Sequence, residues 1–183
     1  MIFCHPLVQD FCFLCLHVFD SGVDSLYEFS VIWREYDHSR RIFRIFTCHD
    51  HVTYELERMG DHAASVAKQV IKLAPEPPLA EYVKLPDMAE LGAQLVHGVL
   101  RALVDVDAVA AREAAVMDDD IDRLYHATFD EVVELMRQDP ANVERGTRIV
   151  IASHYLERIG DRSTNIAEDI VYLVTGDVED LNP

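Results

Sequence analysis

The chain has 183 residues, half of them hydrophobic, with 33 acidic against 16 basic side chains and a formal net charge of -17. That length allows one domain with a real core or two small bundles sharing an interface. The charge argues against unaided binding to nucleic acid or insertion among anionic lipids, whose phosphates it repels, and favours cations or basic protein surfaces as partners.

Residues 1–50 differ from the rest. They hold all four cysteines, the only Trp (Trp33), seven of the eight Phe and no Lys, and with seven acids against four Arg they carry a net charge of only -3. The opening run IFCHPLVQDFCFLCLHVF is apolar but interrupted by His5, Pro6, Gln9, Asp10 and His17, and fits neither a secretory signal nor a membrane span. Without export, the cysteines are expected as reduced thiols. A zinc site from Cys12-x-x-Cys15 with His17 and Cys48-His49 has loose spacing, and cysteines buried as small hydrophobes are the favoured reading. Helical periodicity is poor here, so the region is expected to be partly helical, and the break near His51 suggests an altered reading frame or a shortened start.

From about His51 to Leu73 the pattern is clear. Val52, Leu56, Met59, Ala63, Val66, Ala67, Val70 and Leu73 form one stripe at helical spacing. Pro75-Glu76-Pro77-Pro78 ends it, since proline has no amide donor and disfavours helix in the residue before it. After a linker to Pro86, Asp87 is expected to cap a helix whose packed face is Met88, Leu91, Leu95, Val96, Val99, Leu100 and Leu103. Asp107 caps the next, expected to run unbroken to about Gln138 with Val116, Ile121, Leu124, Val132 and Leu135 inward. Asp139-Pro140 starts the last, which ends at Gly176. Long helices joined by short turns predict an antiparallel three-helix bundle over 79–183.

One phrase occurs twice. LERMGDHAASVAKQVIKL (56–73) and LERIGDRSTNIAEDIVYL (156–173) align without a gap, with seven of eighteen positions identical. A repeat that keeps packing and charged residues together implies a duplicated unit with a duplicated site. Glu57-x-x-x-Asp61 and Glu157-x-x-x-Asp161 each put two carboxylates one turn apart on a helix face, where like charges repel unless a cation lies between them or water screens them. A hard ion such as magnesium, calcium, manganese or oxidised iron suits those oxygens. Asp118-x-x-x-Asp122, on the antiparallel neighbour, supplies a second pair. Asn165 follows Asp161 by one turn, as a ligand-orienting amide or a plain surface one. Gly60 and Gly160 recur inside the helices, pointing to close approach there.

The phrases ELERMGDHA, YLERIGDRSTNIAEDIVYLVTG and DDDIDRLY resemble the PhoU family, accessory regulators of high-affinity phosphate uptake in bacteria. The resemblance covers roughly residues 51–176. It implies an all-α fold of tandem antiparallel three-helix bundles, the second complete in 79–183 and the first incomplete, represented by its last helix and a Pro-rich linker in 51–78 behind a divergent 1–50. It further implies metal ions (iron, zinc, manganese or magnesium) at Asp118, Asp122, Glu157 and Asp161, with Glu57 and Asp61 as half of a first site. Asp20 and Asp24 have the spacing of the missing half. The implied role is regulatory rather than enzymatic: a cytoplasmic homodimer at the inner membrane face through its partners, the ATPase of the phosphate ABC transporter and a sensor histidine kinase. A carboxylate-bridged metal enzyme or metal store on a helical bundle is the competing reading.

Overall fold

A computed structural model of the chain describes residues 26–77, 79 and 84–182, with side chains from Ser39 onward. Asp20, Asp24, Cys12, Cys15 and His17 lie outside the described residues. Among the described residues all regular structure is helical: α1 (Leu26–Leu73), α2 (Lys84–Asp105), α3 (Ala108–Ala115), α4 (Asp118–Gln138), a 3-10 turn (Pro140–Asn142) and α5 (Val143–Thr175). The chain forms two compact units, Met1–Phe43 and Arg44–Pro183. Of the first, the described part is the opening of α1. The second contains everything that follows.

The helix ends read from the sequence have local causes. Asp107 Oδ1 accepts from the amides of Val109 and Ala110, and Asp139 Oδ1 from Ala141. Each side chain thus satisfies donors that the first helical turn leaves without a partner. Gly176, at φ 85°, turns the chain out of α5 with its amide on the Tyr172 carbonyl. Asp87 differs from expectation: α2 begins at Lys84, which places Asp87 inside the first turn. There its charge faces the positive end of the helix rather than capping it.

The expected helix from Asp107 to Gln138 is two helices. α3 stops at Ala115, the Met117 amide bonds back to Ala114, and α4 begins at Asp118, with Asp118, Asp119 and Asp120 in its first turn. Three acids at a helix N-terminus are favoured by its dipole. The break also turns Val116 outward, 66% exposed, against the inward placement expected of it.

The core of the second unit joins all its helices. Met88, Leu95 and Val99 of α2 meet Ala111, Ala114 and Ala115 of α3, Ile121 of α4, and Leu156, Ile166, Ala167 and Ile170 of α5. Each fully buried large aliphatic side chain contributes roughly 1.5–3 kcal/mol. A smaller cluster of Leu79, Val132 and Ile149 closes the opposite end. α1 adds Cys48, Val52 and Met59 to the main core.

Its stripe is therefore rotated from the expected one. Val52 and Met59 are buried and Val66 and Leu73 half-buried, whereas Leu56, Ala63, Ala67 and Val70 are exposed. The buried register is Cys48, Val52, Glu55 and Met59, with a glutamate inside it. α1 also begins well before His51, where the periodicity starts.

Candidate metal centre

α4 and α5 run side by side, and their acids meet at the seam. Carboxylate oxygens of Asp122, Glu157 and Asp161 all lie within 4.8 Å of one another. Opposite ligands of one hard ion with bonds of roughly 2.1–2.4 Å stand about 4.2–4.8 Å apart, so the spacing suits one ion or a bridged pair. Asp118 sits one turn before Asp122 and is only 4% exposed. Its Oδ2 accepts from Thr164 Oγ1 at 3.0 Å and Asn182 Nδ2 at 3.3 Å.

Three buried oxygens of this set, Asp118 Oδ1, Asp122 Oδ1 and Glu157 Oε2, have no hydrogen-bond partner among the described residues. A buried carboxylate oxygen without a donor is costly, and burial raises the affinity of each group for a proton. Glu157 is pushed up to about 7 by burial and then by the charges of Asp161, Asp122 and Asp118, against Arg158. Asp118 is pushed up to about 6 by burial and by Asp122 and Asp161, against its hydrogen bond from Thr164. Asp122 is raised too, by burial and then Asp161. The donor set is all hard oxygen, partly undercharged with protons and short of donors, and it fits a hard cation in all three respects.

Basic groups ring the acids. Arg158 Nη1 donates to Asp161 Oδ2 at 2.8 Å, and its Nε stands 3.4 Å from Glu157 Oε2. His154 Nδ1 is also 3.4 Å from that oxygen, at ion-pair distance without hydrogen-bond geometry. Burial, followed by the charge of Arg158, lowers the proton affinity of His154 and favours its neutral ring. His154, one turn before Glu157, carries no sign of this contact in the sequence.

The first copy of the repeat is built differently. Glu57 is exposed, and Asp61 has a side chain 62% exposed against 22% for Asp161. Arg58 stands 3.6 Å from Asp61, and no further acid among the described residues joins the pair. Among the described residues a Cβ on Gly60 would meet nothing within 4 Å, whereas one on Gly160 would fall on Asp118 Oδ1.

Asn165 lies toward α1. Its Nδ2 donates to Glu55 Oε1 at 3.2 Å, and Arg162 Nη1 donates to both oxygens of Glu55 at 3.1 and 3.3 Å. Glu55 is 1% exposed. His51 bridges it to Asp169, with Nε2 3.4 Å from Glu55 and Nδ1 2.6 Å from Asp169. This polar network ties α1 to α5. Sequence reasoning passed over Glu55 because it weighed Glu57 and Asp61; the signal was its place between Val52 and Met59 on the buried register.

Fold and site together define a helical-bundle protein with an acidic site between adjacent helices. Residues 85–170 match the PhoU domain. The chain is 38% identical over 138 residues to a protein of Clostridium acetobutylicum described as a phosphate-specific transport system accessory protein PhoU homolog, covering 75% of this chain and 63% of that one. A protein of the same description from Deinococcus radiodurans is 35% identical over 125 residues, covering 68% and 59%. Among solved structures, PhoU from Pseudomonas aeruginosa superposes with a TM-score of 0.72 at 34% identity, over 75% of this chain and 66% of that one. The phosphate transport system regulatory protein PhoU from Streptococcus pneumoniae does so with 0.70 at 34%, over 76% and 66%. This chain belongs to the PhoU family. It spans about three fifths of the length of those two curated relatives.

Proposed function

We propose that this chain is a PhoU-type regulator of phosphate transport that loads a hard cation at the α4–α5 seam and acts by docking to protein partners. The observation that carries the cation site is the joining of Asp122, Glu157 and Asp161 with the buried, half-satisfied Asp118. Those four side chains would hold the ion, which would supply positive charge to an otherwise repulsive cluster. Arg158 and His154 hold the cluster's edge, and Thr164 orients Asp118.

The regulatory reading rests on kinship with proteins described as accessory to phosphate-specific transport. A net charge of -17 suits docking to basic surfaces. The partners we assign are the ATPase of the phosphate ABC transporter and its sensor histidine kinase, at the inner face of the membrane, with the chain as a homodimer. No helix among the described residues is long and apolar enough to cross a membrane.

The test pairs elemental analysis of the purified chain with a pull-down against both partners. The expected result is bound metal that is lost in the Asp118→Ala/Glu157→Ala/Asp161→Ala variant, and capture of at least one partner. Metal content unchanged by the triple variant would remove the site assignment. Failure to bind either partner would remove the regulatory one.

A further inference from the structure

The chain does not leave the bundle after Gly176. The Asp177 amide bonds to Thr175 Oγ1 at 3.0 Å. Arg112 of α3 then grips Glu179 with two donors, Nε at 2.8 Å and Nη2 at 2.5 Å. The Leu181 amide donates to Glu168 Oε1 of α5 at 2.9 Å, and its side chain packs on the main core. These anchors on α3, α5 and the core carry the next residue, Asn182, to the acidic seam. There its Nδ2 donates to Asp118 Oδ2 at 3.3 Å and to Asp161 Oδ1 at 3.4 Å.

We propose that Asn182 is a further ligand of the cation at this site, carried there by the segment 177–182 acting as a strap. The inference rests on the cation-site reading above. Asp118, almost wholly buried, still has one oxygen without a partner among the described residues, seated where Gly160 has no side chain.

A primary amide is suited to both states. With the carboxylates free, its N–H bonds bridge two like charges without adding another. With a cation present, Asp118 and Asp161 direct their lone pairs to the ion, and the amide nitrogen loses its acceptors. A half-turn about the terminal torsion, which is broad and roughly two-fold, then presents Oδ1 instead. An amide oxygen is a hard, neutral donor of the kind calcium, magnesium and manganese accept. It completes the ligand set without deepening the repulsion among four carboxylates. The strap then has to lift for the ion to leave.

The probe is Mn2+ titrated into the full chain, with affinity read by calorimetry and strap docking by hydrogen exchange of the 177–182 amides. Wild type is expected to bind Mn2+ and to slow exchange in the strap on binding. Asn182→Ala should bind about tenfold more weakly, the low end of what loss of a supporting group costs a metal site, and lose the exchange response. Asn182→Asp, which keeps an oxygen at the same place, should bind at least as tightly as wild type. Both variants alter an exposed side chain, and unchanged thermal unfolding of the metal-free forms confirms their fold. Wild-type affinity in Asn182→Ala, with no metal-dependent protection of the strap in wild type, would overturn the ligand assignment and leave the cation site standing. No Mn2+ binding by wild type would overturn both.

Discussion

Gly160 makes room for Asp118. A Cβ at position 160 would fall on Asp118 Oδ1, while at Gly60, the same place in the first copy of the repeat, it would meet nothing within 4 Å among the described residues. The same residue thus answers different needs: close approach of a carboxylate in one copy, open helix surface in the other. Gly160→Ala should destabilise the fold by about 1–3 kcal/mol through overpacking, and weaken metal loading by displacing Asp118. Gly60→Ala should stabilise it by about 0.5–1 kcal/mol, because alanine loses less backbone entropy in a helix. Denaturant midpoints of the two variants, with metal content of the first, check the pair.

The acidic seam predicts how stability of the metal-free chain depends on pH. Asp118, at about 6, and Glu157, at about 7, sit above their ordinary values of 3.8 and 4.5. Between those limits the folded protein holds protons that the unfolded chain has released, so stability falls as pH rises and levels off above about 7. Asp118→Asn should flatten the lower part of that slope. The proposed hard cation would replace the protons, so metal binding near pH 6 should release protons and release fewer above about 7. Urea unfolding across pH, and calorimetry in buffers of different ionisation heat, measure the two effects.

Glu55 anchors α1. It accepts two bonds from Arg162 and one from Asn165 in a nearly closed environment. Removing one partner of such a pair leaves the other uncompensated, at a cost of 3–5 kcal/mol when both are fully buried. Arg162 retains a quarter of its exposure, so Glu55→Ala should cost about 2–3 kcal/mol. Glu57→Ala, two residues on and exposed, should stay within about 0.5 kcal/mol. Chemical unfolding of both variants separates the structural glutamate from the surface one.

Val106 is strained. It has φ 53° in the turn between α2 and α3, with its amide on Leu103 and the next amide on Ala102, the paired bonds that close a helix C-terminus. That position favours glycine, and a β-branched residue there costs roughly 1–2 kcal/mol. Val106 is exposed, so Val106→Gly should raise stability by about 1 kcal/mol, read as an increase in thermal midpoint. No increase would show that the turn holds Val106 without strain.

The features legible in the sequence were those with causes inside four residues of chain. Asp107, Asp139 and Gly176 mark helix ends because a capping side chain or a left-handed glycine acts on its own turn. The acidic pairs and the helical repeat were readable for the same reason. The break at Val116-Met117 was hidden, because the apolar period runs through it and only packing against α2 and α5 shows where the axis shifts. Glu55 was hidden too, since a glutamate between apolar residues reads as surface until Arg162, 107 positions later, is opposite it.

By itself, the sequence determined an all-α chain, the ends of most of its helices and two carboxylates per repeat on one helix face. Those follow from propensities and spacing, which act locally. The tertiary structure decided which copy, among the described residues, gathers further acids around its pair. Asp122 meets Glu157 and Asp161 only because α4 and α5 pack side by side, and Asp118 loses its water only because Gly160, Thr164 and Asn182 close around it. Burial and charge proximity depend on neighbours far along the chain, so two phrases that share the same acidic pair end as a half-closed acidic seam and an exposed helix face.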